Sequence, residues 1–175
     1  MRQSSKYIIQ RIGETDQLFL QGNTPELAFE RADLRLQLVT LSQVRQEQIH
    51  FLQESIVLLE QGRVEFEEMS LDLYVNLSLH LAKAYMLYFE ITKEQHFAVI
   101  TQQILRPMTH DDFGDIYFFL AYASAVKSEP ALTRHWLNKY SKTHAFDMVL
   151  MQSHPALDQY RQEQWFDRIL KSRMH

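Results

Sequence analysis

Four glycines and four prolines are all the punctuation that 175 residues carry. A β-rich domain needs turn residues roughly every eight to twelve positions, and this chain does not supply them. The chain therefore reads as all-α, with long helices. Its apolar residues recur at three- and four-residue steps, the spacing that lines one face of a helix. A chain of this size buries roughly 70% of its unfolded surface, so its core needs no covalent or metal staple. There is no cysteine, which removes disulfides, thiolate metal sites and thiol nucleophiles together.

The spacing predicts a first helix from Ser5 to Leu20, with Tyr7, Ile8, Ile12 and Phe19 on its apolar side. Gln21-Gly22-Asn23 stops it, since glycine and asparagine tolerate the left-handed helix end. Thr24-Pro25-Glu26 starts the next: a capping hydroxyl, a pre-set dihedral and a carboxylate at the positive end of the dipole. No glycine or proline follows until Gly62, and Leu34, Leu38, Leu41, Ile49, Leu52, Ile56 and Leu59 form one stripe. The polar run Arg45-Gln46-Glu47-Gln48 leaves two readings open. One is a single helix roughly 55 Å long; the other is an antiparallel pair broken near residue 41.

Gly62 to Met69 reads as a loop, and Ser70 caps a helix from Leu71 to Ile91. That helix is apolar on most sides, as one sandwiched between neighbours must be. Helices over Thr92–Leu105, Asp112–Lys127 and Ala131–Ser141 follow, with short connections that set consecutive helices antiparallel. The domain plan is an N-terminal helical segment over 1–69 and helical repeats with a C-terminal capping helix over 70–175, in one continuous folded unit.

Eighteen basic residues against 22 acidic ones give a net charge of −4, without the basic excess of a nucleic-acid binder. No stretch approaches the roughly 18 apolar residues of a membrane helix, and the N-terminus has no apolar signal core. The expectation is a cytoplasmic protein with no nucleic-acid partner and no membrane insertion.

Candidate chemistry is thin. His110-Asp111-Asp112 holds ligand-type side chains, but adjacent helical positions point apart, so it reads as a cap with an acidic first turn. No His-Glu-x-x-His pair occurs. Glu65, Glu67 and Glu68 read as a solvated loop. Glycines only at 13, 22, 62 and 114 leave no phosphate-cradling loop, and no Gly-x-Ser-x-Gly elbow presents a nucleophile. No catalytic residue, metal or cofactor is expected.

An internal repeat gives the chain its character. At an offset of 39 residues, His80-Leu81-Ala82-Lys83-Ala84 aligns with Phe119-Leu120-Ala121-Tyr122-Ala123, and His96-Phe97 with His135-Trp136. Small alanines let paired helices approach, while leucine and aromatics fill the space between them. Leu81-Ala82-Lys83-Ala84-Tyr85 resembles the first-helix core of the tetratricopeptide repeat. The second copy lacks the tyrosine, and both lack the glycine between helices. The tail His154-Pro155-Ala156-Leu157 with Trp165-Phe166 also resembles the end of some bacterial solenoids of this class. The resemblance spans roughly residues 70–171.

What it implies is a right-handed solenoid of antiparallel helix pairs that binds a protein partner without catalysis, as an adaptor, chaperone or inhibitor. The groove face would carry Asn76, Leu79, Lys83 and Met86, then Asp115, Phe118 and Tyr122. Leu79-x-x-x-Lys83 and Phe118-x-x-x-Tyr122 depart from the family's carboxylate clamp, so an apolar partner surface is the expectation. Two other readings stand beside it. One is a homo-oligomer formed through the Leu34–Leu59 stripe; the other is a helical-bundle enzyme or ligand binder with a pocket near His80, His96 or His110.

Overall fold

Side-chain caps set several of the helix starts. In the computed structural model, which describes residues 3–174 apart from Glu67 and Asp111, the Thr24 hydroxyl accepts from the Leu27 N–H and the Ser70 hydroxyl from the Leu73 N–H. The helices are α1 (Gln3–Leu20), α2 (Pro25–Leu41), α3 (Arg45–Glu65), α4 (Leu71–Thr92), α5 (His96–Leu105), α6 (Gly114–Val126), α7 (Pro130–Ser141), α8 (Met148–Ser153) and α9 (Gln164–Arg173). Short 3-10 turns occupy Arg106–Met108 and Pro155–Tyr160. Among the described residues there is no strand, and no helix is long and apolar enough to cross a membrane. The chain forms two compact units, residues 1–94 and 95–175. α4, grouped by sequence with the repeats that follow it, falls in the first of these.

In the first unit each helix packs on the next, α1 on α2, α2 on α3 and α3 on α4. The choice between one long helix and a pair resolves as a pair. The Ser42 hydroxyl accepts from the Val44 N–H at 3.1 Å and donates to Glu47 at 2.9 Å, bending the chain at residues 42–44. Contacts then run in opposite directions along the two helices: Gln48 donates to the Val39 carbonyl, and the Ser55 hydroxyl to the Ala32 carbonyl. The stripe thereby folds onto itself. Leu34, Leu38, Leu52 and Leu59 are buried within the chain, and Leu36, Val39, Leu52 and Ala84 form one cluster. Of the same stripe Ile49 and Ile56 are half-buried, and Leu41 stays exposed.

Two local expectations need correction. α3 continues through Gly62 to Glu65, where a loop was expected. Gly62 serves close packing instead: a Cβ there would lie 3.1 Å from the Ala28 Cβ. Tyr7, assigned to the apolar side of α1, is 66% exposed, whereas Ile8 packs on Leu34 and Leu38.

Polar bonds fix the register between these helices. Arg11 holds Glu30, Arg31 holds Asp16, and Arg35 reaches both Asp16 and Glu54. Between α3 and α4, Gln53 donates to the Tyr88 hydroxyl, Tyr85 to Glu60, and Arg63 to the Tyr74 hydroxyl. Burial, with Glu60 beside it, pushes the Tyr85 hydroxyl up to about 12. His80 on α4 meets Asp33 on α2 at 3.0 Å, and its ring lies 4.2 Å from that of Phe29. The hydrogen bond from His80 holds the Asp33 carboxyl below its ordinary range.

In the second unit α5 packs on α6, α6 on α7, and α7 on α9. α5 begins at His96 rather than Thr92, because Lys93 ends α4 in the left-handed region at φ 62°. The buried Gln102 side chain donates to the Ser124 hydroxyl and to Glu129, and accepts from Lys127 at 2.9 Å. Burial works against the Glu129 charge, but the bonds from Gln102 and Lys127 lower its pKa overall. This cluster anchors the α6–α7 turn, where Ser128 is left-handed at φ 58°.

Leu81, Ala82 and Ala84 are fully buried, as are Leu120, Ala121 and Ala123. The helix boundaries nevertheless keep another interval. α4 and α6 end 34 residues apart, at Thr92 and Val126, and α5 and α7 begin 34 apart, at His96 and Pro130. The 39-residue alignment therefore sets Leu81 eleven residues before its helix end and Leu120 only six. Its copies are alike in burial but not in their place along the helix.

Gly114 permits the tightest approach in the second unit. A Cβ there would lie 2.2 Å from Thr143 Oγ1 and 2.8 Å from the Ala145 Cβ. Gly114→Ala should destabilise by about 1–3 kcal/mol through overpacking. Gly13, exposed in α1, has open space around it, and a Cβ added there would meet nothing within 4 Å. Gly13→Ala should therefore stabilise by up to about 1 kcal/mol. Urea unfolding of the two variants should show opposite signs.

The Asp33–His80 bond predicts a pH dependence. A carboxyl whose folded pKa is lowered stabilises above its unfolded value, 3.8 for Asp33, and loses that contribution as pH falls through the folded value. Asp33→Asn should cost about 0.5–1.5 kcal/mol at pH 7. Melts of both proteins should show the gap closing below pH 4.

Candidate functional site

The seven residues expected to line a groove divide between the units. Asn76, Leu79, Lys83 and Met86 lie on α4; Asp115, Phe118 and Tyr122 lie on α6. Asn76 and Lys83 are exposed and Leu79 is half-buried, but Met86 is only 2% exposed. Asp115 is exposed, yet partial burial of its carboxyl raises its pKa above the ordinary value. The two aromatics are core: Phe118 is 6% and Tyr122 4% exposed.

A segment with no predicted helix explains that burial. α8 and the turn at Pro155–Tyr160 place His154 edge-on against both aromatics, 4.4 Å from the Tyr122 ring and 5.4 Å from the Phe118 ring. Gln159 in the same turn donates to the Ala125 carbonyl at the end of α6. Arg161 closes the corner through the His154 carbonyl at 2.7 Å and a salt bridge to Asp158. The chain's own C-terminal part thus occupies the face of α6 on which a partner was expected.

The same unit holds an open groove between α7 and α9. Thr133, Leu137, Tyr140 and Ser141 are the buried positions of α7, and Tyr117 of α6 stacks on Trp136 with ring centres 6.0 Å apart. Arg134, Asn138, Ser141 and Lys142 then share another face, at steps of three and four residues. α9 buries Phe166 and Ile169 and presents Trp165, Arg168, Ile169, Ser172 and Arg173 at the same steps. The two faces line a groove of about 510 Å³.

Its electrostatics are one-sided. Arg134, Lys142, Arg168 and Arg173 line it together with no carboxylate. Among the described residues, none of these four cations forms a salt bridge; Arg168 donates to Gln164 and Arg173 lies over the Phe146 ring. The carboxylate of Asp167 is taken by Lys171, at 2.8 Å. A cavity of about 440 Å³ on α2 and α3 offers a contrast, because there Arg31 is paired with Asp16 and Arg35 with Glu54. Residues 95–175 hold nine basic and eight acidic side chains, against nine and fourteen in residues 1–94. The net charge of the whole chain conceals this local excess.

Metal-type residues are not gathered. Among the described residues, no three His, Asp or Glu side chains stand close enough to share an ion. His80 is engaged by Asp33, and His96 lies against Phe97. His110 accepts from the Asp112 N–H, so it caps the turn before α6 rather than the helix itself. Asp111 and Glu67, members of two expected acidic clusters, lie outside the described residues.

Sequence reasoning missed Arg134, Lys142, Trp165, Arg168 and Arg173. The signal was available as two short helices with cations at helical spacing, but the two are separated in sequence by α8 and a 3-10 turn. For Tyr122, a core position sets the expected cost. Tyr122→Ala should destabilise by about 3–5 kcal/mol, read by urea unfolding, where an exposed groove residue would cost little.

Protein-family models, curated proteins and solved structures were all compared with this chain, and none matches.

Proposed function

We propose that this chain is a non-catalytic protein-interaction module, an adaptor, chaperone or inhibitor that docks its partner between α7 and α9. The carrying observation is the groove itself: four cations with no carboxylate among the lining residues, over a floor made by Trp165 and Ile169. Leaving such a groove lined with one sign of charge does nothing for folding, since like charges repel. It supplies what an interface uses, namely arginine forks and an aromatic anchor.

We further propose a helical repeat of the tetratricopeptide kind, working in a reducing compartment such as the cytoplasm. The 34-residue interval between helix boundaries supports the first part, being the period of that repeat. The cysteine-free sequence suits the second. The burial of Leu34, Leu38, Leu52 and Leu59 within the chain favours the interaction reading over a homo-oligomer formed through the same stripe.

A photo-crosslinking side chain at Asn138, exposed in the groove, tests the docking site in the native host. The expected result is a discrete cross-linked protein absent when the same probe replaces the exposed Val64 of α3. Equal yields at the two positions, or none at Asn138, would retire the reading.

A further inference from the structure

Resting on the interaction reading, we infer that the segment held between α7 and α9 is an acidic peptide stretch of the partner, with carboxylates spaced along it and an apolar residue between them. The charge argument is local. At physiological salt the Debye length is about 8 Å, so a ligand inside the groove meets the four lining cations rather than the chain's net −4. Arginine holds a carboxylate through two parallel N–H bonds, and three of the four cations are arginines.

Spacing selects among anions. Arg134 and Lys142 stand eight residues apart on α7, about 12 Å along the axis, and Arg168 and Arg173 about 7.5 Å apart on α9. Cations so spread do not converge on a single phosphate. They match several separate carboxylates along a segment. Between them the half-buried Trp165 and the buried Ile169 offer an apolar floor, which a leucine or aromatic residue of the same segment covers. A nucleic acid carries a charge at every step of its backbone, not separate carboxylates with an apolar side chain between them.

The test uses the full chain and fluorescence anisotropy with three labelled probes: a Glu-Leu-Ala peptide with glutamates four apart, the same peptide with lysine for glutamate, and a short oligouridine. The acidic peptide should bind, and its affinity should fall at least several-fold between about 50 and 300 mM salt. Arg134→Glu with Arg168→Glu should weaken it at least tenfold at unchanged helicity and melting temperature. Lys139→Glu with Lys171→Glu, an equal change of charge on the same two helices but outside the groove lining, should weaken it no more than about twofold. Trp165→Ala should reduce binding of the leucine-bearing peptide and leave unaffected a fourth probe, the same glutamate peptide with alanine for leucine. Binding of the lysine peptide or of oligouridine at equal or higher affinity overturns the inference, as does an equal effect of the two double variants. Capture at Asn138 of a partner segment without acidic excess overturns it too, while leaving the docking site itself standing.

Discussion

The second unit depends on what Tyr140 does with its two ends. Its ring is fully buried against Phe118 and Phe146, each with ring centres 5.4 Å away. Its hydroxyl donates to the Ala145 carbonyl at 3.0 Å and accepts from the Asp147 N–H at 2.9 Å. Burial pushes that hydroxyl up to about 12, so it remains a neutral donor throughout the ordinary pH range. The turn after α7 is thereby held against the helix that precedes it, and Thr143 and Ala145 press on the bare Cα of Gly114. From that turn α8 leads toward His154 over α6. α7 is left with one face inward, one face for α9, and the groove where those two helices part.

Charge is handled differently in the two units. In the first, the arginines of α1 and α2 are matched by carboxylates across the helix pairs, and Arg35, almost fully buried, answers to both Asp16 and Glu54. A buried cation without such partners would carry a large desolvation cost, so these pairs read as conditions of packing rather than as sources of stability. The groove cations face no such constraint. Arg134, Lys142, Arg168 and Arg173 are exposed, and solvent meets their needs.

The fold class was legible because it rests on local rules. Sparse glycine and proline, the Thr24 and Ser70 caps and the three- and four-residue apolar steps act within a few turns of chain. The break at residues 42–44 was visible only as an alternative, since Ser42, Glu47 and Gln48 close it through side-chain bonds that helix propensity does not register. The two aromatics of the expected binding face are buried for a reason of longer range. Phe118 and Tyr122 do lie four apart on one helix, but His154, more than thirty residues later, covers them. Periodicity tells which residues share a face and not what arrives to cover it.

The repeat alignment matched burial and not helix position for a related reason. Leucine and alanine recur wherever helices pack closely, so a Leu-Ala-x-Ala match follows burial as readily as ancestry. α6 is buried on nearly every side, so the leucine and alanines within it answer first to packing. Helix ends are more demanding. They require a residue able to adopt left-handed backbone or to finish the last turn, and Lys93 and Ser128 do so at φ 62° and 58°. Neither is glycine, so neither stop follows from a residue's own freedom in that region. The helix boundaries therefore record a spacing of 34 residues that a match of small apolar residues, made at 39, does not.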